Sequence, residues 1–176
     1  MKRRLKPRRP WQVRFLSKGK IMQLRISKYL DKPHTLLYRR DDGSETWMAS
    51  EEFFVRHDLS HYAIEKTLGY RKAFLGMLNE GMDIKAFEDR ETRLKLEVDA
   101  QAGWAENMAN LFLMETALGE VNDFNAVLTE SFVRIGAAVG PMYLSEEEIA
   151  AIRSLLKQLL ADWAALPVGE TLVLEF

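Results

Sequence analysis

The final segment, Glu170 to Phe176, constrains the fold more than any other part of the chain. It is rich in Val, Leu, Thr and Phe, follows Pro167-Val168-Gly169, and is too short for a stable helix, so it reads as a strand. A lone strand is not stable without a partner. The other strand signals all lie within residues 22–49. Met22, Leu24 and Ile26 alternate with Gln23, Arg25 and Ser27, and Asp31-Lys32-Pro33 reads as a turn. His34 to Arg40 and Glu45 to Ala49 flank Asp41-Asp42-Gly43-Ser44, and an Asp-Gly pair between two such runs is a strong hairpin signal. These segments predict a three-stranded antiparallel meander, which the closing strand must join.

Between the meander and that strand the patterning is helical. Ser50, Glu51 and Glu52 read as a helix start, with the helix running to about Leu68 and stopping at Gly69. A second helix is predicted over Tyr70 to Glu80, and an exposed one over residues 83–98 from Asp83. Asp99 caps a helix to about Leu118 whose stripe is Trp104, Met108, Leu111, Glu115 and Leu118. Asn122 or Asp123 caps the next, which Gly136, Gly140 and Pro141 break. Ser145 with Glu148 is a capping box, followed by the apolar stripe Ile149, Ile152, Leu156, Leu159 and Trp163. The predicted fold is α+β: an N-terminal meander joined by a C-terminal strand and packed against a bundle of about five helices.

Charge divides the chain unevenly. Residues 1–21 hold nine Lys/Arg and no acid, which leaves the remainder at a net charge of −10. A basic, disordered tail over 1–21 and a single α+β domain over 22–176 follow as the expected organisation. The tail reads as an arm for nucleic acid or anionic lipid, or as a solvated leader ahead of Met22. An acidic body is not built as a nucleic-acid surface, so such binding is expected only through the tail. The absence of cysteine excludes disulfides, Cys-type zinc fingers, iron–sulfur clusters and thiol nucleophiles. No apolar run reaches the ~20 residues of a membrane helix, and Pro7, Arg8, Arg9 and Pro10 fall where a secretory signal needs its apolar core. A cytoplasmic location without a membrane partner is expected; self-association through a sheet edge or helix face stays open.

The chemistry-bearing residues lie in the first helix. Phe54, His57, His61, Ile64 and Leu68 follow helical spacing, so two histidines stand on the stripe that should turn inward. Imidazoles at i and i+4 can reach one metal at about 2.0–2.1 Å. The sequence His57-Asp58-Leu59-Ser60-His61 resembles the H-E-x-x-H helix of zinc metallopeptidases, with Asp58 at the position of that family's general-base glutamate. The resemblance covers these residues alone. It implies a bound zinc on His57 and His61 and a water polarised by Asp58, whose side chain is one methylene shorter.

A third ligand must come from another element. Glu65 is too far from His57 along the helix axis, about 12 Å, and is cast instead as the acceptor that fixes the His61 ring from one turn away. Glu115 is the first choice because it alone interrupts the apolar stripe of its helix; His34 and Glu106 are weaker choices. Two histidines and a carboxylate suit zinc hydrolysis, or iron in an oxygen-dependent enzyme. The expected function is thus a small soluble metal-binding protein, a metal-dependent hydrolase in its catalytic form, with an unidentified small-molecule substrate. Two other readings remain beside it. The same residues suit a pocket without metal, and they suit a non-enzymatic binding or assembly domain in which Asp58 and Glu65 tie the histidines into a structural polar network.

Overall fold

The computed structural model describes residues 20–87, 99–135, 140 and 142–176. The basic tail expected over 1–21 therefore lies almost wholly outside the described residues, as do most of the helix expected over 83–98 and, of the expected helix break, Gly136 and Pro141.

Four strands form one antiparallel sheet: β1 (Met22–Ser27), β2 (His34–Arg40), β3 (Glu45–Ser50) and β4 (Thr171–Glu175), in the order β3-β2-β1-β4. The closing strand pairs with β1, with Leu24 opposite Leu174, and Met22 and Phe176 exchange main-chain hydrogen bonds of 3.2 and 2.8 Å. Alternation fixes the register. Met22, Leu24, Ile26, Leu36 and Tyr38 are fully buried on one face, and a slip of one residue would turn that set to solvent. At the β2–β3 turn Gly43 adopts φ 84°, and Ser44 N–H donates to Asp42 Oδ1 at 2.8 Å, which closes the hairpin.

Among the described residues five helices follow: α1 (Glu52–Leu68), α2 (Phe74–Asn79), α3 (Ala100–Leu118), α4 (Phe124–Ile135) and α5 (Glu146–Ala165). A 3-10 turn, Ile84–Phe87, follows α2, and Asp83 opens it by accepting from Lys85 N–H. α1 packs against α3 and α5, and a continuous apolar core joins these helices to the sheet. Tyr62 and Lys66 of α1 both donate to Glu175 O, at 2.7 and 2.9 Å, and so fasten the helix to β4. Gly69 ends α1 in the left-handed conformation at φ 66°. The α5 capping box is present, its stripe is buried, and Lys28 Nζ caps the other end on Trp163 O and Ala164 O. No described helix is long and apolar enough to cross a membrane.

Some local expectations need correction. Ser50 ends β3 instead of capping α1; Glu51 takes the cap position, and Ser50 Oγ is buried with no partner among the described residues. The second helix is confined to Phe74–Asn79, because Arg71 and Lys72 N–H are drawn to the Gln101 side chain. Phe54, expected on the inward stripe, is 52% exposed, and Trp47 stands outward on β3 with Lys85 Nζ 5.8 Å from its ring.

Candidate metal centre

His57 and His61 project from adjacent turns of α1, and the carboxylate they meet belongs to Glu106 on α3. His57 Nε2 lies 3.4 Å from Glu106 Oε1, and His61 Nε2 lies 3.2 Å from Glu106 Oε2. One ligand atom from each of the three residues falls within 4.8 Å of the others. Tetrahedral ligands at about 2.1 Å from an ion stand about 3.4 Å apart, so binding would draw the set together by about 1.4 Å at most. The half-exposed Glu106 has room for that movement. Its Oε1 also accepts from Asn110 Nδ2 at 3.1 Å.

The far side of each ring is backed by a second carboxylate. His61 Nδ1 donates to Glu65 Oε1 at 3.2 Å, and Glu65 is wholly buried. Glu65 also accepts from Leu75 N–H and Gly76 N–H at the start of α2. Behind His57, Asp58 Oδ1 lies 3.9 Å from Nδ1, and Asp58 Oδ2 accepts from the buried Tyr38 hydroxyl. Rings held this way offer Nε2 outward, the arrangement by which metal-ligating histidines are oriented.

The remaining expected residues are placed elsewhere. Glu115 does not approach the histidines. Arg153 of α5 holds it through two hydrogen bonds of 2.9 and 2.6 Å, and it accepts from Val121 N–H. The break it makes in the stripe of α3 serves an interhelical ion pair. His34 accepts from Tyr29 N–H on Nδ1 and faces Glu52 from Nε2 at 3.2 Å, also away from the cluster. Asp58 stands on the Nδ1 side of His57, opposite Glu106, and is engaged by Tyr38. Its geometry suits holding the ring better than facing a water at Nε2, which revises the part expected for it. Glu106, a weaker choice from the sequence, is the carboxylate the structure brings to the two histidines. Its signal was a second stripe on α3, where Ala102, Gly103, Glu106 and Asn110 recur at helical spacing with little bulk.

The cluster forms one wall of a cavity of about 790 Å³ that α1, α2, α3 and the 3-10 turn enclose with the sheet. Asp58 and Asn110 add to this polar lining; Phe and Met side chains with Leu36 and Ile84 make up most of the rest.

Burial opposes charge on His61, yet hydrogen bonds and proximity to Glu106 and Glu65 overcome it and raise its pKa from 6.5 to about 10. His57 is raised as well: burial works against it, and Asp58 and Glu106 prevail. Burial pushes the Glu106 carboxyl upward, but both imidazoles outweigh this and hold it well below the ordinary range. A folded pKa above the unfolded value means that the imidazolium stabilises the fold. For His61 that contribution is complete below about pH 6.5 and is lost as pH rises through about 10. Thermal melts of metal-free protein are expected to fall across that window, and His61→Ala to flatten the fall. Equal slopes in the two proteins would refute the assignment. A metal at Nε2 must displace the proton, so its affinity is expected to rise with pH, by up to about tenfold per unit for each proton released.

No family model matches the chain, and no curated protein or solved structure matches it at a significant level.

Proposed function

We propose that this protein binds a divalent transition metal, zinc or iron, on His57, His61 and Glu106, and is a metal-dependent hydrolase of a small molecule held in the adjoining cavity. One observation carries the reading: two imidazoles and a carboxylate converge on a cavity wall while carboxylates hold both rings from behind. Two histidines and one carboxylate leave coordination positions for water and substrate. In hydrolysis the water oxygen bonds to the acyl carbon, the bond to the leaving group breaks, and the leaving group takes up the proton. The metal would supply the polarisation for that step. His57, His61 and Glu106 would hold it, and Glu65 and Asp58 orient the rings.

Elemental analysis of the purified protein is expected to find one zinc or iron per chain, with His61→Ala reducing it at least about tenfold. Metal-free protein that gains no thermal stability on adding zinc or ferrous iron would overturn the reading.

A second reading has its own support. Each ring nitrogen of both histidines already faces a carboxylate, as a satisfied structural network requires. In that case His57→Ala and His61→Ala lower thermal stability, and neither metal content nor ligand binding depends on them.

A further inference from the structure

Two aromatic limbs run through the cavity, and each ends on one of the two histidines. In the first, Phe87 meets Phe74 with ring centroids 5.0 Å apart, and Phe74 meets His61 at 5.1 Å. In the second, Phe54 meets Phe53 at 5.4 Å, and Phe53 stacks on His57 at 6.2 Å and 27°. The histidine rings themselves stand 4.8 Å apart. Phe53 and Phe54 are 60% and 52% exposed, an uncommon state for adjacent large rings on a helix unless something lies against them.

The charged groups at the histidines already have partners, three carboxylates to two imidazoles. The carboxylates of Glu106, Glu65 and Asp58 pair with the two imidazoles, and Tyr38 and Asn110 take further oxygens. An incoming anion would meet these carboxylates, and an incoming cation would compete with the imidazoles for them. A neutral flat ring disturbs neither, and it gains offset or edge contacts with the phenylalanines. Ala102 and Gly103 line the α3 side with little bulk and leave width for such a ring. A single carbonyl at one end of it would reach the His57–His61–Glu106 wall.

We propose that the cavity is a binding site for an uncharged aromatic carbonyl compound, an aryl ester, amide or ketone, with the ring between the two phenylalanine limbs and the carbonyl at the histidines. The placing of the carbonyl rests on the metal reading above; the aromatic slot does not.

The test uses prodan, a neutral naphthyl ketone whose emission moves to the blue in apolar surroundings, and anilinonaphthalene sulfonate as its anionic counterpart. The full chain, metal-free, is expected to bind prodan saturably and at least about tenfold more tightly than the sulfonate. Phe53→Ala, at an exposed position that does not support the core, is expected to weaken prodan about fivefold or more. Ala102→Phe, which fills the slot without removing a contact, is expected to abolish binding. Zinc, added with its occupancy measured in parallel, is expected to tighten prodan severalfold. Equal affinity for the sulfonate, or prodan binding unchanged in both variants, would overturn the inference even with zinc bound. Aromatic binding with no zinc uptake would overturn the metal reading and the carbonyl placement, and would leave the slot standing.

Discussion

Glu65→Ala is expected to cost the fold about 3–5 kcal/mol, the range for stripping one partner from a buried charged contact. A domain of this kind has about 5–15 kcal/mol in total, so the variant would stand near the threshold of folding. The size of the effect follows from the number of groups that share one carboxylate. Leu75 N–H and Gly76 N–H donate to it from the start of α2, at 3.0 and 3.2 Å, and His61 Nδ1 donates at 3.2 Å from one turn back on α1. Truncation leaves two buried amides and the Nδ1–H of the buried His61 without an acceptor, in a place where Glu65 has no exposure to water. Glu65→Gln keeps an oxygen for one amide but cannot neutralise the imidazolium, so it is expected to cost about 1–3 kcal/mol and to lower the pKa of His61. Urea denaturation measures the first quantity and imidazole proton NMR the second. A loss under about 1 kcal/mol for Glu65→Ala would show that the carboxylate is not the anchor described.

Gly76→Ala is expected to cost about 3 kcal/mol through a different route to the same place. A Cβ at Gly76 would lie 2.2 Å from Arg71 O and 2.3 Å from Arg71 C. These are main-chain atoms that no rotamer change can move aside. The segment from Arg71 must shift, and Leu75 and Gly76 N–H then lose their alignment with Glu65. Because the two substitutions spoil the same hydrogen bonds, Glu65→Ala with Gly76→Ala is expected to cost clearly less than the sum of the single losses. Simple additivity in urea titrations would mean that the glycine acts independently of the carboxylate.

Local chemistry made most of the fold legible. The Asp42-Gly43 turn, the alternation of Met22 to Ile26 and the Ser145–Glu148 box each depend on neighbours a few residues away, and each stands in the structure. The pairing of β4 with β1 is long-range, but a lone strand left no other choice. The candidate site was readable only along α1. Helical spacing put His57 and His61 on one face and Glu65 a turn beyond, and those contacts depend on one helix alone.

What crossed between helices was harder to read. Glu115 and Glu106 share α3, and nothing on α1 indicates which of them faces it. A break in an apolar stripe marks a buried acid, and Arg153, on α5, is what answers Glu115. Glu106 carried no such mark, since its side chain is 54% exposed and sits on a face kept open by small neighbours. Phe54 misled for a related reason. Its spacing matched the inward face, but the wall opposite it is the mouth of a cavity.

The join between β1 and β4 also sets the order in which this molecule can mature. The two strands lie at opposite ends of the described chain, so closing that loop carries a large entropic cost and comes late among folding events. Until β4 has been made and has docked, β1 offers a bare edge that another nascent chain could pair with. During the same interval Tyr62 and Lys66 have no Glu175 carbonyl to hold, and the histidine helix is without its fastening to the sheet. Residues 171–175 must therefore be in place before the interior of the protein can be completed.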